Sequence, residues 1–186
     1  MEQIKLVFFA LASFFTIENG QIGADKTTVA IYPKTQEIEV IQEGLFTVIQ
    51  SAEDSTRVLE QIDKLQHWEE KKTAWTPELE HFPVKNFTFM PFKDTIQARL
   101  KFTYTNEKDL RPLGIWYNVE KNQFSINHNS HDNIKTKDGK LDGNYWVFNG
   151  EREFRFTLEP FLKMPEKHKK SKTPIQELLR NSKTDN

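Results

Sequence analysis

The chain has 186 residues, and its 26 basic and 27 acidic side chains leave a formal net charge of −1. This balance excludes a strongly basic domain that attracts nucleic acid through its overall charge. The absence of cysteine excludes disulfides, thiolate metal sites and a cysteine nucleophile, so we expect one domain held together by its own hydrophobic core, with no cofactor.

The start of the chain has the pattern of an export signal. An apolar run over residues 6–17 is shorter than the roughly 20 residues that a membrane-spanning helix needs. Ile22 and Ala24 occupy the −3 and −1 positions of a cleavage site before Asp25. We therefore predict a signal peptide over residues 1–24 and a periplasmic or secreted protein with no transmembrane span after cleavage. The alternatives are an uncleaved anchor and a strand of the fold.

Two β-rich stretches, TTVAIYP and EIEVIQEGLFTVIQ, come next, and Gly44 predicts a turn within the second. Ser51 and Asp54 then have the spacing of a capping box, which marks the start of a helix. An amphipathic helix over about residues 52–71 follows from apolar side chains that recur on one side. These side chains are Val58, Leu59, Ile62, Leu65 and Trp68.

The middle of the chain reads as β structure. Residues 87–92, FTFMPF, contain a proline and predict a loop or an edge strand. Residues 95–105 alternate between apolar and polar side chains without interruption, which predicts a strand with one buried and one exposed face. The stretches LGIWYNV and QFSIN predict a hairpin with its turn at Lys121 and Asn122.

A second hairpin is predicted in NYWVFNGEREFRF, residues 144–156. Asn149 and Gly150 favour a two-residue turn, because both tolerate the positive φ that such a turn requires. That turn would pair Trp146 with Glu153 and would place one alternating set of side chains in the core. The expected core set is Tyr145, Val147, Phe154, Phe156 and Leu158, and the expected reverse set is Trp146, Phe148, Glu151, Glu153 and Arg155.

Each predicted hairpin places a tryptophan among hydrogen-bonding side chains on its reverse face. An indole flanked by amides and carboxylates suits a sugar, whose C–H groups stack on the ring while its hydroxyls meet the polar groups. The alternative is that the helix or the FTFMPF segment covers these rings and forms a second, smaller core. The candidate ligand-binding residues are Trp116, Asn118, Asn127, Trp146, Phe148, Glu153 and Arg155.

A candidate metal centre lies in the polar stretch after the first hairpin. His128, His131 and Asp132 are close in sequence, and imidazole with carboxylate binds zinc and similar ions. The alternative is that all three are ordinary loop residues, since no second cluster completes the ligand shell. The known motifs for a serine nucleophile or a zinc protease do not occur in the chain, so no catalytic residue is predicted.

The C-terminal part is basic and ends in the short helical pattern TPIQELL. We expect residues 163–186 to form a basic linker and a short C-terminal helix, which either docks or remains free, after a single β-rich domain over residues 25–162. The predicted fold is α+β and mainly antiparallel, a curved sheet or β-sandwich with the amphipathic helix packed on it.

The function expected from these features is that of an exported, non-enzymatic binding or accessory domain whose partner is a glycan or an envelope protein, with no nucleic acid. One alternative is an envelope-associated hydrolase that uses the His and Asp centre. The other is a structural envelope protein, held by its basic tail, with no small-molecule ligand.

Overall fold

A computed structural model describes residues 21–92, 94–130 and 133–184. Within these ranges the protein is α+β, with mostly antiparallel strands in two sheets, which confirms the predicted fold class. In chain order the strands are β1 (Gly23–Tyr32), β2 (Glu37–Val48), β3 (Lys85–Phe92), β4 (Thr95–Thr103), β5 (Ile115–Asn118), β6 (Gln123–Asn127), β7 (Gly139–Asp142), β8 (Tyr145–Asn149), β9 (Phe154–Leu158) and β10 (Lys172–Pro174). The helices are α1 (Ala52–Gln66), α2 (Pro77–Glu80), α3 (Glu166–Lys169) and α4 (Ile175–Thr184), with a 3₁₀ helix at Glu107–Leu113.

The two sheets lie against a shared hydrophobic core. The first sheet has the strand order β3-β4-β2-β1-β9, and β10 pairs with the far end of β2. The second sheet has the order β5-β6-β8-β7. Phe124 from the second sheet and Phe154 from the first are both buried, with ring centroids 5.4 Å apart, so the core joins the inner faces of both sheets.

The first sheet contains one departure from the predicted strands. The expected turn at Gly44 is wrong, because β2 continues through this residue and pairs with β1 on both sides of it. Gly44 has φ +63 and bends the strand there. A side chain at this position would also meet the side chain of Asp25, whose Cβ lies 3.0 Å from the place of an added Cβ. The chain instead reverses at residues 33–36.

Helix α1 begins where the capping box predicts. Ser51 accepts a hydrogen bond from the Asp54 N–H at 3.2 Å, and Asp54 accepts one from the Ser51 N–H at 3.0 Å. The predicted apolar stripe faces the core, where Val58, Ile62 and Leu65 are buried and Leu59 is half-buried. The helix ends before Trp68, which is earlier than predicted.

Trp68 has left the helix because its ring packs elsewhere. Its centroid lies 5.1 Å from that of Trp75, and its Nε1–H donates to the Phe87 carbonyl oxygen at 3.2 Å. This bond satisfies a carbonyl on β3, which lies at the edge of the first sheet as expected. The alternation predicted for β4 is confirmed, since its apolar side chains are buried and the intervening ones are exposed or half-buried.

The predicted hairpin at Asn149 and Gly150 is wrong. Strand β8 pairs with β6 and β7, whereas β9 pairs with β1 in the other sheet. Residues 150–153 therefore cross between sheets. The cause is core packing: the rings of Phe148 and Phe154 stack face to face at 4.3 Å, so the two strands meet as opposing layers. Tyr145 is consequently 48% exposed, which corrects its predicted core position.

The earlier hairpin forms between β5 and β6, but its loop is longer than predicted. Asn118 pairs with Gln123, so the connection spans residues 119–122, with Asn122 at φ 46. A turn at Lys121 and Asn122 would place Val119 in the core, but Val119 lies in this loop and is 71% exposed. The longer loop shifts the pairing of β5 with β6 by two residues, so all side chains that remain in these strands keep their predicted faces. Trp116 therefore lies on the predicted reverse face.

Both ends of the described chain are attached to the first sheet. Strand β10 pairs with β2, Ile175 at the start of α4 is buried, and Lys172 forms an ion pair with Asp25. The C-terminal helix therefore docks. Ile22 and Ala24, at the predicted cleavage site, are 2% and 0% exposed in the core. None of the helices in the described part of the chain has the length and apolar character that a bilayer crossing requires.

Candidate functional site

The four-stranded second sheet has one face turned away from the core, called here the outer face. Strand pairing places Trp116, Ser125, Val147 and Lys140 side by side across it, one from each strand. Side chains alternate along a strand, so residues two positions away belong to the same face. The flanking outer-face residues are Asn118, Gln123 and Asn149 on one side and Asn127, Tyr145 and Asp142 on the other.

The outer face is open to solvent. Not one of its side chains is buried; Trp116, Ser125 and Val147 at its centre are half-buried, and Tyr145 is 48% exposed. The inner face differs, because Phe124 lies 1% exposed in the core. The uncovered face carries two aromatic rings among amide side chains, and one solvated face is common for an antiparallel sheet.

The indole of Trp116 is held by a neighbour from outside the sheet. The guanidinium carbon of Arg111, at the end of the 3₁₀ helix, lies 5.4 Å from the centroid of the Trp116 ring. A cation at this distance from a tryptophan ring is attracted by its π electrons and restricts its rotamers. The ring is therefore preorganised, which lowers the entropy that binding would cost.

Trp146 and Phe148 lie on the inner face of the same sheet. Phe148 is 1% exposed, and its ring fills the space beside Gly139, where an added Cβ would come within 2.6 Å of it. Trp146 is half-buried against the core, and its ring centroid lies 6.1 Å from that of His128. The buried Nε1 of Trp146 has no hydrogen-bond partner among the residues that the structure covers.

The structure thus brings together part of the predicted ligand set. Trp116, Asn118 and Asn127 share the outer face, whereas Trp146 and Phe148 point to the opposite side of the sheet. Of the remaining candidates, Arg155 lies on β9 of the first sheet, and Glu153 lies in the segment that crosses between the sheets. The reverse face predicted for the second hairpin does not form, because β8 and β9 do not pair with each other.

The outer-face residues missing from the predicted ligand set include Gln123, Tyr145 and Asn149. The signal that could have placed Tyr145 and Asn149 is the turn sequence LDGNYW. Asp142 pairs with Tyr145 across a two-residue connection in which Gly143 has φ +56. Reading this turn as a hairpin would have paired β7 with β8 and placed Tyr145 outward.

Of the three residues in the predicted metal centre, the structure describes only His128. The side chain of His128 is exposed, and its backbone N–H donates to the Asn144 carbonyl oxygen at 2.7 Å. His131 and Asp132 lie outside the described residues. Within residues 21–92, 94–130 and 133–184, no group of three or more His, Asp or Glu side chains could hold a metal ion. The centre therefore stays a prediction.

The largest electrostatic perturbation lies away from the outer face. Burial raises the pKa of Tyr104 well above its ordinary value, and Glu107 and Tyr117 add to the effect. The Tyr104 hydroxyl is buried and has no hydrogen-bond partner in the described part of the chain. This group is a neutral core residue at physiological pH, so it supplies no acid or base to the outer face.

No family model, no curated protein and no solved structure matches the chain. The functional argument therefore rests on the chemistry of the surfaces themselves.

Proposed function

We propose that the protein is a non-enzymatic, extracytoplasmic binding domain that holds a glycan on the outer face of the second sheet. The observation that carries this proposal is the open face itself, on which Trp116 and Tyr145 lie among amide side chains. The extracytoplasmic location is supported by the apolar run over residues 6–17.

The side chains of this face match the two kinds of group that a sugar presents. Aromatic rings provide a flat apolar surface for the C–H faces of the sugar ring. Gln123 and Asn127 each offer one amide acceptor and two N–H donors, which pair with hydroxyl groups in either direction. Asn118 offers its two N–H donors, while its Oδ1 accepts from the Lys121 N–H at 3.0 Å. The sheet holds these groups in fixed register, so little ordering is left for binding.

The spacing of the two aromatic residues favours an oligosaccharide. Tyr145 lies on a strand two places from that of Trp116 and one row further along. With strands about 4.8 Å apart and about 3.4 Å per residue, their Cα atoms are roughly 12 Å apart. This distance exceeds one sugar ring, so we expect the two side chains to contact different sugar units of one chain.

Affinity electrophoresis with soluble neutral polysaccharides tests the proposal. Gels containing laminarin, hydroxyethyl cellulose, xylan, glucomannan or dextran are run with the wild-type protein and with Trp116→Ala and Tyr145→Ala. We expect at least one polysaccharide to retard the wild type, and Trp116→Ala to weaken that binding about tenfold, equivalent to about 1.4 kcal/mol.

Leu141→Ala is the matched control, because Leu141 is 50% exposed on the same sheet and pairs with Trp146 in the inner-face row. Its removal should leave retardation unchanged. Absence of retardation by every polysaccharide, or an equal loss in Leu141→Ala and Trp116→Ala, would contradict the proposal.

A further inference from the structure

Arg155 on β9 differs from three other cations of the first sheet. Lys26 is paired with Glu43 at 3.0 Å, and Lys101 is paired with Glu37 at 3.1 Å. Arg99 is paired with Glu39 in the same way. By contrast, no carboxylate within the described ranges forms an ion pair with the guanidinium of Arg155, although this side chain is exposed. Its charge is therefore available to a ligand.

The position of this guanidinium is nevertheless fixed. Its Nη2 donates to the Tyr32 hydroxyl at 3.3 Å. The backbone is held from the other side, because the Arg155 N–H donates to Asp138 Oδ2 at 2.8 Å and the Thr136 hydroxyl donates to the Arg155 carbonyl oxygen at 2.6 Å. Ala30 pairs with Arg155 across β1 and β9. A small neighbour of this kind leaves space for the long arginine side chain.

Two clefts lie beside the hydrogen-bonded pair Tyr32 and Arg155. One has a volume of about 500 Å³ and is lined by residues 32–35 and 151–153. The other has a volume of about 520 Å³ and is lined by residues 135–138 and 155–157. Tyr32 lines the first cleft and Arg155 the second, so their hydrogen bond connects the two. Each volume lies within the range of about 300–1,000 Å³ that small-molecule sites occupy.

The charges of the second cleft favour an anion. Its cations are Lys135, Lys137 and Arg155, and its carboxylate is Asp138. Lys135 is paired with Glu159, and Asp138 keeps its negative charge while one of its oxygens accepts from the Arg155 N–H. Among the described residues of this cleft, Lys137 and Arg155 therefore outweigh the charge of Asp138 by one positive charge. In the first cleft the acidic and basic side chains balance, since Lys34 and Arg152 accompany Glu151 and Glu153.

We propose that Arg155 and Lys137 bind an oxyanion group, a carboxylate or a phosphate, at a site separate from the glycan face. The fork of guanidinium donors matches the two oxygens of such a group, and the ammonium adds a point charge. Thr136 lines the same cleft, and its hydroxyl holds the backbone of this site by donating to the Arg155 carbonyl oxygen. The site recognises the anionic group of a ligand, and the clefts on both sides accommodate the rest of it.

Titration followed by amide NMR tests the site, with inorganic phosphate and acetate as separate probes at constant ionic strength. We expect saturable shifts at Arg155, Thr136 and Lys137, with Arg155→Gln weakening binding at least tenfold. The affinity of Arg155→Lys should lie between those of the wild type and Arg155→Gln, because lysine keeps the positive charge and lacks the paired N–H donors of the guanidinium. Tighter binding of phosphate would indicate a phosphorylated ligand, and tighter binding of acetate a carboxylated one.

Arg99→Gln is the matched control, because it removes the same charge from the same sheet. It should change the affinity less than twofold. Unsaturable shifts, or equal weakening in Arg99→Gln and Arg155→Gln, would overturn the proposal. If Arg155→Gln does not fold, Tyr32→Phe is used in its place, because it removes the hydroxyl that orients the guanidinium. Several-fold weaker anion binding by Tyr32→Phe supports the site, and unchanged binding refutes it.

Discussion

Trp116 and Trp146 lie on opposite faces of one four-stranded sheet, and this difference determines what each side chain can do. Trp116 is half-buried beneath Arg111 on the open face, whereas Trp146 is half-buried against the hydrophobic core. Burial against the core removes apolar area from water and stabilises the fold, while contact with one exposed cationic side chain contributes less. The first ring is therefore available to a ligand, and the second is mainly structural.

Alanine substitution separates these two roles. Trp146→Ala leaves a cavity beside the core, and we expect the free energy of unfolding to fall by about 3 kcal/mol, the low end of the range for buried large aromatics. Trp116→Ala should lower it by less than about 1 kcal/mol. Urea denaturation measures both values. Similar losses for the two variants would show that Trp116 is a core residue and would weaken the proposed glycan face.

Tyr104 provides a pH-dependent prediction. Its pKa is raised by burial, so above pH 10, the ordinary pKa, the unfolded chain loses a proton that the folded protein keeps. Stability therefore falls as the pH rises above 10. Tyr104→Phe should reduce this alkaline loss and should raise stability at pH 7 by about 1 kcal/mol, because the hydroxyl is buried without a hydrogen-bond partner among the described residues. Thermal melts at pH 7 and pH 11 measure both effects, and an unchanged alkaline loss would contradict the account.

At the scale of elements, the sequence correctly predicted those features of helices and strands that are set by residues close together in the chain. The capping box of α1 and the alternation of β4 are local signals, and the structure confirms both. The turn at Asn149 and Gly150 is also a local signal, yet the strands beside it pair elsewhere. Their partners are chosen by long-range packing, in which Phe148 stacks on Phe154 across the core. Pairing of this kind cannot be read from turn residues alone.

This difference explains which part of the candidate site was predicted. Trp116, Asn118 and Asn127 were placed on one face because they flank a hairpin that does form. Tyr145 was assigned to the core because its strand was paired with β9, and this wrong partner reversed the two faces of β8. On β9 itself the prediction is confirmed, since Phe154, Phe156 and Leu158 are buried. The anion site could not be predicted, since Tyr32 and Arg155 are separated by 123 residues in sequence.

Packing between β7 and β8 gives a prediction for an element. Gly139 lies beneath the ring of Phe148, and an added Cβ would come within 2.6 Å of that ring. Gly139→Ala should therefore lower the free energy of unfolding by about 2 kcal/mol through overpacking. Lys140→Ala on the same strand, exposed on the outer face, should change it by less than about 0.5 kcal/mol. Chemical denaturation of both variants tests the predicted contact, which is absent if Gly139→Ala is as stable as the wild type.

At the scale of the whole molecule, the two ends of the described chain meet on β2. Gly23 pairs with Phe46 from one side, and Pro174 pairs with the same residue from the other. Lys172 and Asp25 join the two ends by an ion pair. The C-terminal basic segment is thus built into the sheet over part of its length, and it closes the fold together with the start of β1.

This closure predicts where the folded chain must begin. Ile22 and Ala24 are buried in the core, and the Gln21 N–H donates to Gln61 Oε1 of α1 at 3.2 Å. A chain that starts at Asp25, as cleavage after Ala24 would produce, loses all of these contacts. Compared with a chain that starts at Gln21, it should be less stable by about 3 kcal/mol, chiefly because a buried isoleucine is removed.

Urea denaturation of the two shortened chains measures this difference. N-terminal sequencing of protein recovered from the extracytoplasmic fraction, where we predict it to be found, shows which start is used. We expect a start before Ile22, because export that discarded core side chains would leave a weakened domain. Retention of residues 21–24 together with a lower midpoint for the chain that starts at Asp25 would place the cleavage site upstream of the predicted one. Equal midpoints would show that β1 does not need its first residues, and the original site before Asp25 would then stand.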